Sequence, residues 1–387
     1  MPNSHHRASA RKLYLRSKSL LWFGGLVYFA LFEAGGLHAG EAKPAAAVEW
    51  ERTVEAAKKE GKVVVSIPAS TELRRGIEKV FKQRFGIEPE LNVGRAASIV
   101  GKIQQESKAG VPGFDVHMGG GESMVSGLLS EGILAPLEPA MILKEVKDPS
   151  NWWGGHIWLD NAKRYIYASH AHQVELIWCN TDYVKPEEIR SLNDLLNPKW
   201  AGKIGYLDPR TAGAGASMWS FLWKLKGEDY LKKLAGQKLL LGRDQRVLAE
   251  NLARGKIALV VGLSYYSLLP FAKAGLPVKS ISTPRDEMYV TGGSGNVTII
   301  KGAPNPNAAK VFLNWFLGPE GQETYSRAMA QGTRRLDVDT QWLKEFGVIA
   351  AKDNLTTDQY SKLENQSEEK ILKTREPAAE VARKLLD

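Results

Sequence analysis

From Val48 onward the chain switches repeatedly between short β-branched runs and stretches with helical spacing of apolar residues, which is the mark of an α/β protein. Lys62-Val-Val-Val-Ser-Ile67 reads as a first buried strand. After Pro68, either Ser70 or Thr71 can cap a helix whose Leu73, Ile77, Val80 and Phe81 fall on one face, and Gly86 closes it. A helix over about Ser98–Ser107, a strand over Phe114–Met118 and a Gly119-Gly120-Gly121 turn into a further helix, ending near Gly132, complete the first round.

Trp152-Trp153-Gly-Gly reads as a loop pinned by aromatic side chains, and Val174–Cys179 as an apolar strand. The pattern then begins again. Lys203–Leu207 is a strand, 208–213 a turn, Gly215–Lys226 a helix, Gln245–Arg254 a helix stopped by Gly255, and Ile257–Val261 a strand. Ser264 can cap a helix opening on Tyr265-Tyr266. Strands near Val278 and over Asn296–Ile300 follow, and Asn305-Pro306 starts a helix with a stripe of Ala308, Val311, Phe312, Trp315 and Phe316. The charged tail, Leu355–Asp387, carries a helical pattern in Ile371, Leu372, Val381 and Leu385 broken by Pro377, and is expected to be peripheral.

A length of 387 residues suits about two domains, and one cysteine, Cys179, excludes an internal disulfide or a thiolate zinc cage. Part of the formal charge of +9 belongs to an address label. Arg7, Arg11, Lys12, Arg16 and Lys18 precede the uncharged stretch Leu20–Phe32, and Leu37-His38-Ala39 offers a small residue for cleavage. Residues 1–39 are therefore expected to be a signal peptide, with 40–47 a tether and the mature chain in the periplasm. No cysteine near the cleavage site allows a lipid anchor. The remaining positive bias is mild and implies no nucleic-acid partner.

Gly, Ser and Thr lie at strand ends just before helices in four places: Ser70-Thr71, Gly119–Gly121, Thr211–Gly215 and Ser264–Tyr266. In an open α/β sheet, ligands bind beyond the carboxyl ends of the strands, where helix starts present N–H groups and partial positive charge. Such helix starts, converging, would receive an anion. Taken singly, each is equally well a turn or a cap. Enzyme signatures are missing: no G-x-S-x-G, no Walker loop, and a poor dinucleotide fingerprint at Gly213-Ala-Gly215. His170 and His172 share one face of a strand and read best as a polar strand edge. Tyr265-Tyr266 either pack as core aromatics or point into a cleft, where a phenolate would suit ferric ion and a ring would stack on an organic ligand.

Several segments together resemble the periplasmic solute-binding proteins of ABC importers, in the group that contains the ferric-ion-binding proteins. They are Ala56–Val65, Asp115–Gly121, Asn180–Pro186, Leu195–Ile204 and Asn307–Phe316 followed by Glu320-Gly321, and the likeness spans about Trp50–Val338. The resemblance implies a type 2 periplasmic-binding fold: two α/β lobes joined by two hinge-crossing strands, closing on a ligand and docking on a membrane permease. The crossings are expected near Val174–Cys179 and Gly292–Val297. Lobe one is then 48–173 plus 295–387, and lobe two 174–294. Tyr265-Tyr266 fall where ferric-binding relatives carry paired tyrosine ligands, whereas Ser70 or Thr71 stands in place of their His and Gly120 in place of their acid. Glu122 lies two positions later.

The leading expectation is a non-enzymatic, monomeric binding component that delivers a small anionic solute to an ABC permease. Ser70, Thr71, Gly119, Gly120 and Gly121 would line one wall of the cleft. Arg210, Thr211, Gly213, Arg243, Ser264, Tyr265 and Tyr266 would line the other, with the two arginines placed to pair carboxylate or phosphonate. The alternative in the same fold is ferric capture by Tyr265 and Tyr266, iron being cargo and not a cofactor. A secreted hydrolase or a sensor domain reusing the fold is the reading from a different class.

Overall fold

The run Lys62–Ile67 alternates its side chains between two layers, as a strand buried on both faces must. Val63, Val65 and Ile67 pack with Leu73, Ile77 and Phe81 of the helix Thr71–Phe85, while Val64 faces Val100, Ile103 and Phe114 on the opposite side. These relationships come from a computed structural model that describes residues 44–94, 96–211 and 213–387. The expected signal peptide, 1–39, and the first half of the tether lie outside the described residues. The second half of the tether is not a spacer, because the helix Ala45–Glu60 begins within it and buries Thr53 and Ala57.

Two sheets organise the chain. The first has the order Glu88–Val93, Lys62–Ile67, Val116–Gly119, Asn296–Ile300, Leu134–Ala135, and Tyr167–Ala168 also pairs with Asn296–Ile300. Its first three strands are parallel, and Asn296–Ile300 returns antiparallel. The second has the order Val278–Ile281, Ile177–Asn180, Leu259–Val261, Ile204–Leu207, Leu240–Gly242. Each sheet has its own apolar core. The fold is the expected two-lobed α/β one.

Between the sheets lies a three-stranded ribbon of Tyr289–Thr291, His172–Val174 and Val348–Ala350. The chain leaves the first sheet through His172–Val174 and comes back through Tyr289–Thr291, pairing antiparallel. Both crossings precede the expected positions, because Ile177–Asn180 belongs to the second sheet and Asn296–Ile300 to the first. The apolar run from Val174 conceals a break at Glu175, whose carboxylate accepts from Thr283 N–H at 2.9 Å and from its hydroxyl at 3.0 Å.

The charged tail is not peripheral, nor does it stay with the first lobe. Ile371 is buried in the first lobe beside Val64 and Phe114, whereas Ala378 and Ala382 of the helix Glu376–Leu386 are buried in the core of the second. Small residues four apart let that helix approach Ala214–Lys226 closely, with Val381, Leu385 and Leu386 packed around the contact. The segment straps one lobe to the other.

Candidate functional site

A cleft of about 820 Å³ opens between the lobes, lined by the ends of strands and the starts of helices from both. The first lobe contributes Ser70, Thr71, Gly119, Gly120 and Gly121; the second contributes Thr211, Gly213, Arg243, Ser264, Tyr265 and Tyr266. Arg210 does not line it. Its guanidinium donates to the Asp208 carboxylate at 2.9 and 3.0 Å, and to the Leu386 carbonyl and Asp387 carboxylate at 3.1 and 2.8 Å. Two residues after an acid on a turn, an Arg side chain folds back on that acid, and spacing alone does not show this. Arg243 does reach the rim of the cleft, exposed, with Nε 3.5 Å from Asp208.

The helix starts differ in whether their N–H groups are already engaged. Ser70 accepts from Leu73 N–H at 3.2 Å, and Asp244 accepts from Arg246 and Val247 N–H, so the helices Thr71–Phe85 and Gln245–Ala253 are capped by their own side chains. Among the described residues, the helices Ala214–Lys226 and Tyr265–Lys273 have no side-chain cap. Ser264, expected to cap the latter, makes no such bond and instead donates its N–H to Gln245 Oε1 at 2.9 Å. Gly213 stands at φ +138°, a conformation that side-chain-bearing residues rarely adopt. Its N–H donates to Glu122 Oε2, from the opposite lobe, at 3.1 Å. Two uncapped helix starts on one wall leave backbone donors and partial positive charge directed at the cleft.

The paired tyrosines have different surroundings. The ring of Tyr265 lies 5.5 Å from Trp178 and 4.7 Å from Phe346, and burial pushes its hydroxyl up to about 12. Tyr266 reaches across to the apolar core of the first lobe, and burial raises its hydroxyl also, against hydrogen bonds to Ser264, Gln245 and Ser267. Both phenols are held protonated. Among the described residues no group of three or more His, Cys, Asp or Glu is placed to hold a metal ion.

His117, Gln366 and Arg375 line the cleft without having been singled out from the sequence, and Glu122, noted there only as lying two positions beyond Gly120, lines it too. His117, beneath the Gly119–Gly121 loop, contacts Ser66 Oγ through Nδ1, has no partner for Nε2 among the described residues, and is kept neutral because burial lowers it to about 4. Glu122 follows the glycine loop. Gln366 and Arg375, each 4% exposed, enter from the C-terminal segment. A carboxylate next to the loop was legible in the sequence, but a residue more than 240 positions away along a charged tail carries no such signal. Gly121 is explained by the same segment: a Cβ there would lie 2.8 Å from the Gln366 carbonyl oxygen.

Residues 63–328 match the model of a family described as bacterial extracellular solute-binding protein. The chain belongs to that family. This solute-binding protein is 24% identical over 274 residues to an uncharacterized protein of Haemophilus influenzae, covering 68% of this chain and 75% of that one. Among solved structures it is similar to the periplasmic binding protein AfuA of Actinobacillus pleuropneumoniae, solved with fructose-6-phosphate (22% identity, TM-score 0.63, 84% of this chain and 99% of that one). It is also similar to iron-bound HitA of Pseudomonas aeruginosa (19% identity, TM-score 0.62, 84% and 99%). The expected two-lobed fold stands with these neighbours, and the solute-binding role stands with the family.

Proposed function

We propose that this extracytoplasmic solute-binding protein captures a small organic anion, one carrying phosphate, phosphonate or carboxylate, and delivers it unaltered as a monomer to a membrane permease. The reading includes export to the periplasm by removal of residues 1–39. The observation that carries it is the pair of uncapped helix starts at Gly213 and Ser264 opening on the cleft beside Arg243 and Arg375. A cation would meet the positive ends of these helices and two guanidiniums. AfuA, of the same fold, holds a sugar phosphate, a ligand of this class.

Ferric capture by Tyr265 and Tyr266 has less support. HitA holds iron, but here both phenols sit where burial favours the protonated form, and Tyr265 is packed between aromatic rings. A thermal-shift screen of carboxylates, phosphonates, sugar phosphates, amines and ferric salts tests the assignment. A true ligand at 100 times its Kd stabilises the fold by about 2.7 kcal/mol. Stabilisation by an anion is expected. Stabilisation by amines alone, or by ferric salt with a visible tyrosinate charge-transfer band, overturns the reading.

A further inference from the structure

Glu122 Oε2 occupies an unusual position for a side chain that starts on the first lobe. It accepts from Gly213 N–H, at the uncapped start of Ala214–Lys226, at 3.1 Å, and it lies 3.2 Å from Nη1 of Arg375. One carboxylate oxygen thus sits between a helix start and a guanidinium, where an oxygen of a bound anion would sit.

Arg375 is itself incompletely engaged. It is 4% exposed and lines the cleft, yet its Nε and Nη1 have no hydrogen-bond partner among the described residues; the approach of Glu122 is close in distance without being aligned. A buried guanidinium ordinarily has its fork of donors satisfied, because a buried donor without an acceptor loses its bond to water and gains nothing in return. Gln366, from the same segment, also lines the cleft, and its Oε1 is buried without a partner among the described residues while its Nε2 donates to Thr291. Both residues lie beyond residue 328, where the match to the family model ends.

We propose that the C-terminal segment completes the solute site: Arg375 is the cationic anchor for the anionic group of the ligand, and Glu122 is a built-in competitor holding that position in the unliganded cleft. The ligand's oxygens take over the Gly213 N–H and the free donors of Arg375, and the Glu122 carboxylate swings out to solvent. An anion has to outbid an internal carboxylate, so weakly charged solutes are rejected. This rests on the anion reading above and goes further in naming the anchor and the source of selectivity.

The test is calorimetric titration of the full chain with inorganic phosphate and, separately, fructose-6-phosphate. Arg375→Gln is expected to weaken binding at least tenfold, and Arg375→Lys, which keeps the charge but loses the fork, by less. Glu122→Ala is expected to tighten binding about tenfold. Lys373→Gln removes an exposed cation from the same segment and should leave Kd within twofold, which separates the anchor from net charge. If Arg375→Gln fails to fold, Arg375→Lys and Glu122→Ala decide alone. Unchanged binding in these variants, or weaker binding in Glu122→Ala, overturns the inference while leaving the anion reading standing. Absence of binding of either anion to both wild type and Glu122→Ala overturns the inference, and the anion reading itself falls if carboxylates and phosphonates also fail to stabilise the protein in the thermal-shift screen.

Discussion

Arg210 Nη1 lies 2.8 Å from the carboxylate of Asp387, tying the turn before the helix Ala214–Lys226 to the last helix of the chain. The guanidinium is spent on Asp208, Leu386 and Asp387, so it is not available to a ligand. Arg210→Ala should therefore leave the Kd of a captured anion within twofold and lower the melting temperature slightly. Arg243→Ala, at the rim of the cleft, should weaken the same anion several-fold, more so at low salt, since an exposed charge acts through a screened field. Calorimetry at two ionic strengths separates the two arginines.

The strap formed by the C-terminal segment should be as much a part of the second lobe's core as its sheet. Ala382 is fully buried in the core of the second lobe, on the helix that packs against Ala214–Lys226. Ala382→Leu is expected to destabilise the protein by about 1–3 kcal/mol through overpacking. Denaturant unfolding followed by tryptophan fluorescence checks this: a midpoint unchanged from wild type would mean that the helix is only loosely attached.

The strands were largely legible because β-branched runs between Gly and Pro punctuation admit few other readings: Lys62–Ile67 and Asn296–Ile300 form where the pattern places them. The crossing strands were not, since Val174 to Cys179 reads as one strand apart from the single Glu175, and only the ladder shows that it serves two sheets, parting at that residue. At the site, the helix starts could be located from Gly, Ser and Thr, but not which of them lack caps; that depends on whether a side chain such as Asp244 turns back on its own helix. Gln366 and Arg375 were beyond local pattern altogether. Their position follows from Ile371 and Ala382 anchoring in different lobes, a tertiary fact that an amphipathic stripe does not encode.

Two neighbouring glycines should respond differently to the same methyl group. At Gly121 a Cβ would meet the Gln366 carbonyl oxygen at 2.8 Å and Leu159 Cδ1 at 2.9 Å, whereas at Gly120 the nearest atom is the Gly293 carbonyl oxygen at 3.9 Å. Gly121→Ala is expected to push the C-terminal segment away, costing on the order of 1–3 kcal/mol of stability and weakening anion binding with it. Gly120→Ala should be near neutral for folding. Equal melting temperatures for the two variants would show that the segment does not press on the loop.

Acid should weaken the fold before its carboxylates titrate, and the reason lies in buried imidazoles. Burial lowers His117 to about 4 and His172 to about 3, and lowers His170 well below the ordinary value near 6.5, to which the charge of His172 adds. A histidine whose folded pKa is depressed binds its proton more readily in the unfolded chain. Its contribution is intact above pH 6.5 and is lost as pH falls from there toward the folded value. For His117 the loss by pH 4 is about 3 kcal/mol, at roughly 1.4 kcal/mol per unit. Burial raises Asp115 and Glu175, and these act with the opposite sign, since protonating them favours the fold. The comparison that isolates the imidazole is therefore wild type against His117→Gln, unfolded in urea at pH 7, 5.5 and 4. The variant should lose less stability than wild type over that range, and parallel losses would mean that His117 is protonated in the folded protein.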